Sequence, residues 1–253
     1  MKTLRIFLMV LLGLQFALLN AQQVPGALTW KDVQEQGQSY SPRNDNGGLM
    51  TCPSTSFWSQ TPVDPLGSWT FLNSDAQGGY LAYDNFSGLT APIKTVRFWG
   101  INAYYLSGFT FCETEDPMTF DIVFYQDNAG TPGAVVASYN FTLDRIPTGA
   151  SYSGFQHYLY IANLPASLNI SEGWISIQGV SISDPDCWFL WGNSFDGDLY
   201  CLQKDQSSGI FSARDFDLSL CFDSSPMVPL SNWAVLTGLL LIVTIVIFRF
   251  RRI

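Results

Sequence analysis

The sequence predicts an all-β body folded as a two-sheet sandwich, with an apolar helix at each end of the chain. Three observations predict it. Between residue 22 and about residue 226 there is no helical periodicity of useful length, whereas ten short β-rich runs recur between turn residues, at 68–72, 80–86, 93–99, 120–125, 134–143, 156–161, 173–180, 187–191, 199–203 and 216–222. Two runs alternate, Lys94-Thr95-Val96-Arg97-Phe98 and Trp174-Ile175-Ser176-Ile177-Gln178. Each is expected to turn one face to a core and the other to water. The link Asp127-Asn128-Ala129-Gly130-Thr131-Pro132-Gly133 supplies residues that tolerate positive φ or fix it at about −65°.

The two ends are of another character. Residues 1–21 begin with Lys2 and Arg5, continue in an apolar run from Ile6 to about Leu19, and end on Ala21 before Gln22 and Gln23. This reads as a secretory signal cut between Ala21 and Gln22, because the run is short for a membrane span. Residues 230–248 are long enough to cross a bilayer at ~1.5 Å per residue, and residues 249–253 form a basic tail. Trp233 suits the outer interface, and Arg249, Arg251 and Arg252 suit the cytoplasmic side. The expected organisation is a signal peptide at 1–21, an irregular lead-in with at most one edge strand at 22–66, and the sandwich at 67–222. A stalk at 223–229, a transmembrane helix at 230–248 and a cytoplasmic tail at 249–253 complete the chain.

Composition limits the partners. The 253 residues include 19 Phe, 11 Tyr and 8 Trp, ample for one large core. Of 12 Lys and Arg, five lie in the leader and tail, so the exported body sets seven cations against 21 acids. A field of that sign repels nucleic acid and anionic lipid surfaces and keeps the body soluble.

Val228-Pro229-Leu230-Ser231-Asn232-Trp233, the apolar helix and the terminal arginines resemble the tripartite C-terminal sorting signals of bacterial surface proteins, in particular the PEP-CTERM group and its IPTL-type relatives. The motif is one residue shorter than the IPTL-type pattern and lacks its Thr. The resemblance covers the last 26 or so residues and implies delivery to the cell surface or extracellular matrix, with an exosortase-type transpeptidase as partner. Under a plain-anchor reading the same segment stays attached. The segment FDIVFYQDNAGTPGAVVASYNFTL also resembles a strand–loop–strand unit of secreted bacterial β-sandwich domains of jelly-roll type. That resemblance implies a jelly-roll-like body and no particular activity.

All five cysteines, Cys52, Cys112, Cys187, Cys201 and Cys221, lie in the exported part, where disulfides persist. No Cys-x-x-Cys is present, which argues against zinc. CWFLWGNSFDGDLYC reads as two strands around a turn, so a Cys187–Cys201 bond is expected. Cys52, Cys112 and Cys221 then supply at most one further pair, and one thiol is left over.

Catalytic signals are sparse. The single histidine, His157, sits on a predicted strand as a surface or satisfied residue, and no Gly-x-Ser-x-Gly or His-Glu-x-x-His is present. Loop acids Glu113, Glu115, Asp116, Asp184, Asp186, Asp196 and Asp198 supply carboxylates from which a glycosidase needs two. Asp127, Asn128, Asp184, Asp186, Asp196 and Asp198 also suit a structural calcium ion, although no EF-hand spacing is present. No other cofactor is expected. Tyr104, Tyr105, Trp188 and Trp191 are the candidates for stacking on sugar rings, with the two tryptophans on opposite faces of one strand. The expected function is noncatalytic adhesion or glycan or protein binding at the cell surface. The alternative is a secreted carbohydrate-active enzyme using loop carboxylates.

Overall fold

The computed structural model describes residues 25–35 and 49–224. The expected leader cleavage site at Ala21 and Gln22, the expected sorting motif from Val228 to Trp233, and Arg249, Arg251 and Arg252 lie outside the described residues. Among the described residues, no helix is long and apolar enough to cross a membrane.

The chain forms β1 (Ala27–Thr29), α1 (Trp30–Glu35), β2 (Trp58–Gln60), β3 (Thr70–Asn73), β4 (Tyr80–Phe86), β5 (Ile93–Tyr105), β6 (Phe109–Phe111), β7 (Met118–Asp127) and β8 (Pro132–Leu143). It continues through β9 (Ile146–Tyr152), β10 (Phe155–Leu168), β11 (Gly173–Val180), β12 (Trp188–Ser194), β13 (Cys201–Asp205), β14 (Phe211–Arg214), β15 (Asp217–Leu218) and β16 (Leu220–Asp223). The lead-in therefore carries two strands and a short helix. The helix is entered through a reciprocal cap, with Thr29 N donating to Asp32 Oδ2 at 2.8 Å and Asp32 N to Thr29 Oγ1 at 3.3 Å.

The strands make two antiparallel sheets packed as a sandwich. One has ten strands, with a spine β1-β3-β12-β5-β10-β9 to which β2, β6, β15 and β16 attach; the other has six, in the order β14-β13-β4-β11-β7-β8. The core between them is aromatic. Phe98, Tyr160 and Phe189 of the larger sheet surround Phe120 of the smaller, with ring centroids 4.7–5.0 Å from it. Edge-on contacts of this kind add to the burial of the rings.

The larger sheet is covered on its outer face as well. There Leu28, Val33, Trp69, Phe71, Ile101, Tyr152 and Leu190 form a second core. Covering both faces overrides the expected wet face of the run at 94–98. Arg97 is buried and paired with Asp223 at 2.9 Å. In the smaller sheet, Trp174, Ser176 and Gln178 are buried too, Trp174 against Tyr83 and Leu202. Glycine at 100 lets β5 run on past its predicted end, because a Cβ there would lie 2.3 Å from the Leu190 carbonyl of β12.

Two disulfides are present, Cys52–Cys221 and Cys112–Cys187, and Cys201 is a buried free thiol. The expected count is met, but the expected Cys187–Cys201 pairing is wrong. The segment between those cysteines is not a hairpin: β12 belongs to the ten-stranded sheet and β13 to the six-stranded one. Cys112 instead follows β6, Cys187 precedes β12, and both strands pair with β5 at Ala103. Two disulfides suit an oxidising, extracellular setting.

Candidate functional site

Where β2, the end of β4 and the loop after β12 meet, Trp58, Asn85, Ser87, Asp196 and Asp198 line an open groove of about 260 Å³. Trp58 is positioned by cross-strand pairing, since β2 pairs with β16 and sets Trp58 opposite Phe222. One indole face stacks on that ring at 5.0 Å, and Phe86 meets it edge-on at 6.4 Å. Asp198 Oδ2 accepts from Asn85 Nδ2 at 2.7 Å, and Asp196 Oδ2 accepts from Thr61 N at 2.9 Å and from the Thr61 hydroxyl. The groove thus sets an aromatic ring beside fixed side-chain oxygens.

Behind the groove lie two fully buried carboxyls, Asp84 of β4 and Asp217 of β15. The Gln60 amide, with its nitrogen turned to the acids, donates to Asp84 Oδ2 and to the Leu218 carbonyl, each at 2.7 Å. Leu218 N donates to the same Asp84 oxygen at 2.8 Å. Asp217 accepts from Gly197 N at 2.9 Å and Leu199 N at 3.1 Å, fastening the loop that carries Asp196 and Asp198. Burial pushes the Asp84 carboxyl well above its usual range, and the nearby charges of Asp217 and Asp198 push the same way. Burial also raises Asp217, helped by its hydrogen bond and charge interaction with Asp198. The Cys201 thiol is raised by burial and by the charges of Asp84 and Asp217, which keeps it protonated and inert.

The other predicted residues are dispersed. Trp188 and Trp191 do face opposite ways, but both are buried, and their indole nitrogens donate to the Pro185 and Ser219 carbonyls at 3.0 and 2.9 Å. Neither offers a ring to a ligand, because both faces of β12 are covered. Tyr104 and Tyr105 end β5 half-buried, and the Tyr105 ring meets Phe109 at 5.2 Å. Asp127 takes the Trp174 indole at 2.8 Å and the Gly130 amide at 3.1 Å, and Asn128 sits in the same turn. Asp184 Oδ1 accepts from Asp186 N at 3.2 Å, and Asp184 Oδ2 accepts from Thr114 Oγ1 at 2.5 Å. Among the described residues, no group of three or more His, Cys, Asp or Glu is placed to hold a metal ion.

Three of the acids serve structure. Glu115 is buried, and its two oxygens accept the backbone N–H groups of Ile182, Ser183 and Asp184 at 2.7–2.8 Å. Asp116 pairs with Arg145 at 3.4 Å. Asp75 accepts from Gln77 N, Phe189 N and Ser181 Oγ; burial lifts its pKa to about 6. His157 is fully buried, with Nδ1 3.2 Å from Thr148 Oγ1, and burial lowers its pKa to about 3.

Trp58 carries no signal in the sequence because it lies in the irregular lead-in, whereas Asp84 does carry one. On β4 the alternation that buries Ala82 and Phe86 puts Asp84 in the same row, so a charge falls on a core-facing position. No protein-family model matches the chain, and no curated protein is significantly similar to it. What the geometry defines is a class: a disulfide-bonded β-sandwich with an open groove that sets one aromatic ring among hydrogen-bonding oxygens.

Proposed function

We propose that this is an exported, noncatalytic cell-surface or extracellular-matrix protein whose jelly-roll-like body binds a neutral glycan in the Trp58 groove. The single observation that carries the reading is the Trp58 ring held beside Asn85, Ser87, Asp196 and Asp198. A ring takes the apolar face of a sugar, and fixed oxygens accept its hydroxyl protons. The excess of acids in the body favours an uncharged ligand over an anionic one. Asp84, whose carboxyl burial raises well above its usual range, is sealed beneath the groove together with Asp217, which favours binding over hydrolysis.

Delivery rests on the ends of the chain: a leader cut after Ala21 and a C-terminal signal that anchors the body at least transiently. A transpeptidase of exosortase type is the partner this implies. Intact mass of the surface-extracted protein tests it, since a mass that includes Arg249 to Ile253 contradicts removal of the tail. A glycan array combined with a hydrolysis screen tests the activity. Binding without turnover is expected; turnover would favour the carbohydrate-active enzyme.

A further inference from the structure

The six-stranded sheet ends on β8, and among the described residues no strand pairs with its outer side and no backbone hydrogen bond is made there. Alternate residues of an edge strand turn N–H and C=O groups outward, and such edges are ordinarily guarded by charge, proline or shortness. β8 has little of this protection. It is twelve residues long, and Pro132, its only proline, is its first residue. No charged residue occurs in it, in a chain with 21 acids.

A bulge at Val136, where Phe124 pairs with Ala137 but Tyr125 with Val135, divides the strand. It leaves residues 137–143 in unbroken one-to-one register with residues 118–124 of β7. Ala137, Tyr139, Phe141 and Leu143 turn towards the core but are only partly buried. Tyr139 and Phe141 stack on each other at 6.0 Å along this half-open row. Ser138, Asn140 and Thr142 form the exposed row.

We propose that this edge pairs antiparallel with the same edge of a second copy, about a twofold axis at Asn140, joining two six-stranded sheets into one. The seven regular residues are self-complementary about that point. Tyr139 of each copy meets Phe141 of the other, Ser138 meets Thr142, and Ala137 meets Leu143. Aromatic and hydroxyl cross-strand pairs of this kind stabilise antiparallel sheets. Charge selects the occupant. Two acidic bodies repel over most of their surfaces, and β8 itself brings no carboxylate to the contact; the nearest are Asp121, one strand inside and engaged by Asn140 at 2.7 Å, and Asp144 just past the strand end. A basic partner finds no acid in β8 to attract it. The contact is isologous, so it closes at a dimer, and it is independent of the Trp58 groove.

The test uses the full-length chain carrying Asn140→Cys, with Ser212→Cys on β14, the opposite edge of the same sheet, as the comparison. The native free thiol at Cys201 is buried and stays out of the reaction. Mild oxidation is expected to cross-link Asn140→Cys into a dimer at least tenfold faster than Ser212→Cys. Ser138→Lys combined with Thr142→Lys sets lysine against lysine across the axis, and is expected to abolish the dimer in sedimentation. Equal cross-linking at the two edges would overturn the proposal. So would a dimer fraction unchanged by the two lysines, or a strand of a different protein found on this edge.

Discussion

Two Asp-x-Asp loops flank β12, Asp184-Pro185-Asp186 before it and Asp196-Gly197-Asp198 after it, and their paired acids alone do not separate them. The first is fastened from both sides. Glu115 gathers the amides of residues 182–184, the Cys112–Cys187 bond ties the strand entry, and Asp184 spends its two oxygens on Asp186 N and on Thr114. The second is fastened from beneath by the buried Asp217, which leaves Asp196 and Asp198 lining a groove with Trp58. Both buried carboxylates, Glu115 and Asp217, take amides of the loop above them; the loops differ in that only the second turns its two acids onto a groove.

The largest expected effect breaks the first loop. Glu115→Ala removes the buried carboxylate that holds three backbone N–H groups of a partly exposed loop; bonds to a charged group contribute about 1.5–3 kcal/mol each, so urea unfolding should show a loss of roughly 3 kcal/mol or more. Asp186→Asn, on the loop surface, should stay within about 0.5 kcal/mol. Next comes the disulfide. Replacing Cys112 and Cys187 together with Ser should cost about 2–4 kcal/mol, and peptide mapping should recover 52–221 and 112–187 with Cys201 unreactive until unfolding.

Gly197→Ala sharpens the second loop. A Cβ there would lie 2.4 Å from the Gln60 side-chain amide and 2.5 Å from Asp217 Oδ1, so an overpacking loss of about 1–3 kcal/mol is expected. The pH dependence differs between the buried groups. A carboxyl whose folded pKa exceeds its unfolded value stabilises the fold below the unfolded value, and that stability is lost as pH rises through the folded pKa. For Asp75 the window runs from 3.8 to about 6, and Asp84 acts in the same sense. His157 acts oppositely: its folded pKa is lowered from 6.5 to about 3, so stability is lost as pH falls through that interval. Melting of Asp84→Asn against the parent chain should therefore move in the variant's favour as pH rises from about 4 to 7.

Local signals carried the strand pattern well. The runs at 80–86 and 173–180 match β4 and β11 residue for residue. What failed depended on long-range packing. Arg97 and Ser176 were placed in water because alternation assumes one wet face, whereas these rows are covered. The Cys187–Cys201 expectation took two strands joined by a turn for a pair, although the turn carries the chain from one sheet to the other. Trp188 and Trp191 looked available only until both faces of β12 were covered. Asp196 and Asp198 were found by composition, but their partner Trp58 lies 138 residues before Asp196 and meets it only through β2, β16 and the loop after β12.

The most direct test of the account is glycan binding by the purified protein with Trp58→Ala and, separately, Tyr105→Ala. Calorimetry against the array's strongest neutral oligosaccharide should show at least a tenfold loss of affinity for Trp58→Ala and none for Tyr105→Ala, with both variants checked for cooperative unfolding. Unchanged affinity in folded Trp58→Ala would contradict the assignment of the groove.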